Sequence, residues 1–242
     1  MTVVAYHRPD TLIEALAKLT EQTSIPRVLL AGGTTVNADQ SRAPVEVVDL
    51  QALPLRLIEA GGGRLYMGAI ATIQELADHP ATPALIAALA RRETPSALRN
   101  MATIGGTVAV GDSESELLAA LLVHEAEVIF VSKAGRGQTS LQAFLAAPPS
   151  RAIITSVSIT TSGEAAADRT GRTPGDRPIV AAVARRTPEG RTLLALCGVG
   201  ATPILADDPA ALNPPGDFRG SSEYRRHLAV ILSERVRKNV SS

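Results

Sequence analysis

Tryptophan is absent from this 242-residue chain, three tyrosines and three phenylalanines make up the aromatic set, and there is a single cysteine. That lone thiol, Cys197, cannot close an internal disulfide, and it cannot supply the ligands of an iron–sulfur cluster. The histidines, His7, His79, His124 and His227, stand far apart without carboxylates or cysteines at ligand spacing, which argues against a metal site. Excess charge is missing too: 24 basic residues balance 24 acidic ones. No basic surplus can neutralise a phosphate backbone, so nucleic acid is not an expected partner. Apolar runs are short and broken by charge or glycine, so no transmembrane segment is expected. The start, MTVVAYHRPD, lacks the basic-then-apolar order of a secretory signal, and a cytoplasmic location is expected. Alanine, valine and leucine must fill the core, and a flat bound ring would find few aromatic neighbours.

The chain does have clear periodicity and capping signals. In RPDTLIEALAKLTEQ, a Thr11-x-x-Glu14 capping box precedes Leu12, Ala15, Leu16 and Leu19 at helical spacing. RVLLAGG reads as a buried strand ended by glycine, and VEVVDL as a second strand, giving a small α/β lobe over residues 1–55. LRLIEAGGGRLYMGA predicts two strands around a glycine turn, and Thr72-x-x-Glu75 caps a short helix. A glycine turn at 105–106, a helix opened by Ser113-x-x-Glu116, and strands at 127–132 and 151–160 complete a second, α+β lobe over 56–161. Residues 162–178, SGEAAADRTGRTPGDRP, are polar and aperiodic and read as a linker or mobile loop. The remainder, 179–242, predicts a small domain of two strands and a final helix, with Tyr224, Leu228, Ile231 and Leu232 on one helix face.

Two glycine pairs invite a functional reading. The strand RVLL runs into Ala31, Gly32, Gly33, Thr34, Thr35, Val36 and Asn37, a loop without the Walker lysine or the third Rossmann glycine. Such a loop is either a plain tight turn or an anion cradle, in which side-chain-free backbone lets successive N–H groups approach a pyrophosphate. Thr103, Ile104, Gly105, Gly106 and Thr107 repeat the pattern, so bare amides from two lobes could converge on one dinucleotide in the cleft between them. Glu116 is ambiguous in the same way: it completes a helix cap, or its carboxylate receives a ribose or ribityl hydroxyl.

The segments RPDTLIEALAKL, RVLLAGGTTV, LYMGAIATIQEL, LRNMATIGGTVAVGDSESELLAALLVHEAEVIF and DFRGSSEYRRHLAVIL occur in this order. Together they resemble the FAD-binding medium subunit of molybdenum hydroxylases, the carbon monoxide dehydrogenase and xanthine dehydrogenase family, most specifically around RNMATIGGT. The resemblance implies an α+β fold: a two-subdomain FAD-binding unit of the vanillyl-alcohol-oxidase-like (PCMH) type plus a small C-terminal α+β domain. It implies FAD as cofactor, with Ala31 to Asn37 around the pyrophosphate, Thr103 to Thr107 on the diphosphate and adenine side, and Glu116 at the family's acidic position. It also implies partners: an iron–sulfur small subunit and a molybdenum-cofactor large subunit, in a dimer of heterotrimers.

The sequence departs from that pattern in places. Thr107 replaces the usual asparagine after IGG, GDSESE replaces a Ser-Pro run, and 162–178 is shorter than the segment that brings aromatic and basic residues near the flavin ring. No catalytic side chain stands out. The function implied is an electron-transfer flavoprotein subunit; the competing reading is a flavin-free structural or assembly subunit of the same kind of complex. A stand-alone flavin reductase of the same superfamily would need an acid or serine near the ring, and the sequence offers no clear one.

Overall fold

The computed structural model describes residues 1–173 and 175–241. Its first lobe is a β-α-β crossover extended by a third strand: β1 (Thr2–His7), α1 (Leu12–Thr20), β2 (Arg27–Leu30) and β3 (Pro44–Asp49). The strands form a parallel sheet in the order β1-β3-β2. Thr11 caps α1, its hydroxyl accepting from the Glu14 amide at 3.2 Å. Ala15 and Leu19 are buried, and Leu12 and Leu16 pack beside them against Val48 and Leu50, so the sequence periodicity marks the core face.

The second lobe begins with the hairpin β4 (Ile58–Gly61) and β5 (Arg64–Gly68). Helices α2 (Ile73–Asp78), α3 (Ala84–Glu93), α4 (Ser96–Arg99), α5 (Ile104–Val110) and α6 (Glu116–Val123) follow. Strand β6 (Glu127–Ser132), strand β7 (Gly135–Ser140), helix α7 (Leu141–Ala146) and strand β8 (Ile153–Thr160) complete it. The antiparallel sheet runs β4-β5-β8-β6-β7. Thr72 and Glu75 form the full reciprocal capping box of α2. Two expectations change here. The glycine turn at 105–106 is the first turn of α5, with Thr103 as its cap, and α6 is capped by Ser115 rather than Ser113.

The third lobe corrects the sequence reading most. Inside the segment expected to be a linker lies strand β9 (Glu164–Thr170), which pairs along its whole length with β10 (Val180–Arg186). β11 (Thr192–Cys197) and β12 (Ile204–Leu205) finish a four-stranded sheet, and α8 (Ser222–Asn239) covers it. β9 escaped notice because its side chains, EAAADRT, carry no apolar alternation; the buried neighbour β10 supplies its hydrogen bonds. The buried face of α8 is Arg225, Ala229, Leu232, Ser233 and Val236; of the four residues placed on one face from the sequence, Leu232 is buried and Leu228 packs beside it, whereas Tyr224 is exposed. Arg225 reaches in because its guanidinium donates to the Ile179 and Gly198 carbonyls at 2.7 and 2.8 Å and pairs with Asp217.

One helix joins the lobes. Every residue of α6 is buried, Glu116 to Val123, between the second lobe's helices and the C-terminal sheet. Val183 and Ala195 face the α6 core, while Ala182, Ala184, Leu194 and Leu196 face α8. β10 is therefore covered on both sides, as its continuous run of small apolar residues requires. No helix among the described residues is long and apolar enough to cross a membrane.

Two measurements check this packing. Leu118→Ala, in the fully buried stretch of α6, is expected to cost about 2–5 kcal/mol in urea unfolding. His124 follows α6 and is buried; its Nδ1–H donates to the Thr160 carbonyl at 2.7 Å, and desolvation pushes its pKa down to about 4. The unfolded chain thus binds a proton that the native state refuses between the ordinary histidine range and pH 4. Stability is expected to fall on acidification through that window by up to about 3 kcal/mol. His124→Asn should flatten this part of the pH profile.

Candidate cofactor-binding site

The first glycine pair follows directly from β2. Gly33 has φ of +74°, a backbone state that a β-branched side chain resists. The chain then makes one helical turn: the Asn37 amide donates to the Gly33 carbonyl at 2.8 Å, and the Ala38 amide to the Thr35 carbonyl at 3.2 Å. The leading N–H groups of such a turn have no partner within it. Among the described residues, Gly32 and Thr34 make no hydrogen bond, and the amides of Gly33, Thr35 and Val36 find no protein acceptor. Five successive donors are left open, the arrangement that favours an anion.

The second glycine pair behaves differently. The Ile104 amide donates to the Ala71 carbonyl at 2.9 Å and the Gly105 amide to the Ala69 carbonyl at 2.8 Å. Gly106 donates to the Thr103 hydroxyl at 3.1 Å, and Thr107 donates to the Thr103 carbonyl through both its amide (2.9 Å) and its hydroxyl (3.0 Å). Of the expected second set of bare amides only that of Thr103 stays open among the described residues, because the cap of α5 and the chain leaving β5 consume the other four. This stretch contributes close-fitting surface. Gly32 shows how close: a Cβ there would be driven into the Met101 carbonyl, just before Thr103.

Both stretches line one cavity of about 460 Å³, within the range of small-molecule sites. Ala31, Gly32, Gly33, Thr34, Thr35 and Val36 lie on one side, and Thr103, Gly105, Gly106 and Thr107 on another. Three positions singled out from the sequence are not in the lining. Asn37 closes the turn behind Gly33, and the Ile104 side chain is buried in the core. Glu116 is buried beside a separate, smaller crevice, paired with Arg92 and, at 3.2 Å, with Arg169 of β9.

The remaining walls were not legible beforehand. Leu29, Leu50, Ile70, Val110, Phe144, Pro148, Pro149 and Ile154 make an apolar side, with Phe144 the one aromatic ring in the lining among the described residues. Glu93, Thr94, Asp112 and Arg177 make a polar end. Arg177 pairs with Asp112 at 2.6 Å and Glu114 at 3.3 Å, and Arg219 also holds Glu114, so GDSESE serves as an anchor for arginines from two later segments. Burial holds the Glu93 carboxyl above the usual carboxylate range, against hydrogen bonds from Ser115 and Leu117 and the nearby charge of Arg177.

Chemically, this is a site for a long molecule with an anionic middle and an apolar portion. The family described as "FAD binding domain in molybdopterin dehydrogenase" matches residues 2–161. The chain belongs to that family. FAD is the cofactor that the family's description names, and the open amides of Gly32 to Val36 fit the diphosphate of that molecule. A similar protein, the uncharacterized protein YgfM of Escherichia coli K12, is 29% identical over 94% of this chain and 92% of its own length. The nicotinate dehydrogenase FAD-subunit of Eubacterium barkeri is 27% identical over 57% of this chain and 49% of that protein. A solved carbon monoxide dehydrogenase from Hydrogenophaga pseudoflava superposes with a TM-score of 0.89 at 21% identity, covering 99% of this chain and 98% of that one. The FAD-binding fold with its small C-terminal domain is thus the fold of this chain.

Gly32→Ala should force the two loops apart and weaken FAD binding by about tenfold or more in a fluorescence titration. Glu116→Ala should act mainly on stability, lowering the unfolding free energy by about 3 kcal/mol because it leaves the Arg169 charge without its partner.

Proposed function

We propose that this chain is the FAD-carrying electron-transfer subunit of a molybdenum hydroxylase. In that role it stands between the iron–sulfur clusters of a small subunit, fed by a molybdenum-cofactor large subunit, and a terminal acceptor, in a dimer of heterotrimers. The observation that carries this reading is the run of unpaired amides from Gly32 to Val36 lining a cavity closed on its other side by Thr103 to Thr107. A row of donors with no protein acceptor is free to hydrogen-bond an anion without breaking any contact of the fold. The lone buried Cys197 supports a division of labour, since this chain cannot ligate iron–sulfur clusters by itself.

When bound, the flavin supplies the redox chemistry, and the protein supplies binding, orientation and electrostatics. The amides of Gly32 to Val36 would hold the diphosphate. Leu50, Ile70, Phe144 and Ile154 would shed water from the apolar part of the cofactor. Arg177, fixed by Asp112 and Glu114, would close the polar end and tie the segment after β9 to the second lobe.

A flavin-free structural or assembly subunit remains the second reading, and one observation favours it. The amides of Ile104 to Thr107 are all engaged within the chain, which halves the donor set anticipated for the cofactor. The absorption spectrum of the purified complex after saturation with FAD separates the two. Flavin bands that stay with the protein through gel filtration are expected. A colourless complex would establish the scaffold role instead.

A further inference from the structure

Glu93 ends α3 at the polar end of the cavity, where it also borders the smaller crevice lined by Arg92, Glu114, Glu116 and Arg169. Groups face it from every neighbouring element. Ser115, which caps α6, the Leu117 amide of α6 and Arg177 after β9 favour its charged form, Asp112 of the loop before α6 opposes it, and Glu93 in turn acts by charge on the buried Cys197 of β11. Of the arginines in the crevice, Arg92 and Arg169 are engaged by Glu116 and Arg177 by Asp112 and Glu114.

The charges of the cavity itself do not balance for its ligand. Arg177 is the sole cation in the lining among the described residues, and it is already paired with Asp112 and Glu114. Glu93 and Asp112 are the acids in the lining. A dinucleotide brings a doubly anionic pyrophosphate into this space and expels the water that still reaches Glu93. Like charge and lost hydration both disfavour a carboxylate.

We infer that Glu93 is a proton-linked residue of the cavity: filling the cavity with FAD places a proton on its carboxylate. This rests on the reading that the cavity takes FAD. The proton comes from the buffer, no covalent bond to the ligand forms, and the site becomes one negative charge less repulsive to the diphosphate. Burial already holds this carboxyl high before the ligand arrives, so the window opens above the ordinary carboxylate range. Binding is tightest below the unliganded pKa of Glu93. Affinity then falls by up to about tenfold per pH unit and levels off above the pKa of the loaded state.

The test is calorimetric titration of the full unliganded chain with FAD, in two buffers of different ionisation enthalpy, at a series of pH values rising from the ordinary carboxylate range. Wild-type protein is expected to take up a fraction of a proton, approaching one per FAD, and to bind more weakly as pH rises. Glu93→Gln should abolish the uptake and flatten the pH profile. Glu93→Asp, which keeps an ionisable carboxyl, should retain both and serves if the glutamine variant fails to fold. Undiminished uptake in Glu93→Gln, or FAD binding by wild type without any uptake, overturns the inference alone. Absence of FAD binding by wild type and every variant overturns the reading of the cavity as well.

Discussion

The backbone of Gly32 lies against the Met101 carbonyl, and the cavity exists because that approach is possible. Residue 32 belongs to the parallel-sheet lobe and residue 101 to the lobe built on the antiparallel sheet. Any side chain at this point would hold the two apart. With hydrogen there instead, the turn after β2 and the cap of α5 close on a common space. Close packing of this kind is intolerant of even one added carbon.

Given that contact, the two glycine pairs divide the work. The first leaves its amides open, since the turn from Gly33 to Asn37 is too short to satisfy its own leading donors. The second satisfies the donors of Ile104 to Thr107 through Thr103, Ala69 and Ala71 and, among the described residues, leaves only the Thr103 amide open. A helix N-terminus whose amides are consumed in this way offers an anion little beyond shape. The asymmetry would let a chain without a Walker lysine or a Rossmann motif hold a diphosphate.

Much of this architecture was legible in the sequence. Capping threonines at 11 and 72 mark real helix starts, and the periodic leucines of α1 mark its buried face. Both glycine pairs do line one cavity. What failed has physical reasons. β9 reads as a loop because an edge strand paired to a buried neighbour needs no apolar alternation of its own. The α8 face was read only in part: Leu228 and Leu232 do meet the core, but Arg225 is buried by carbonyl acceptors that no local pattern reveals. Glu116 was open to a ligand role until Arg92 and Arg169, distant in sequence, arrived beside it. Glu93 and Arg177 belong to no motif, and only the fold brings them to the cavity.

The open donors of the cavity come chiefly from the turn Gly32 to Val36, joined from the facing stretch by the Thr103 amide. Backbone amide shifts of the isotopically labelled chain, followed as FAD or inorganic pyrophosphate is added, test this most directly. The account predicts large shifts and exchange protection at Gly32 to Val36, with small changes at Ile104 to Thr107. Perturbation centred on 104–107, with residues 32–36 unmoved, would contradict it.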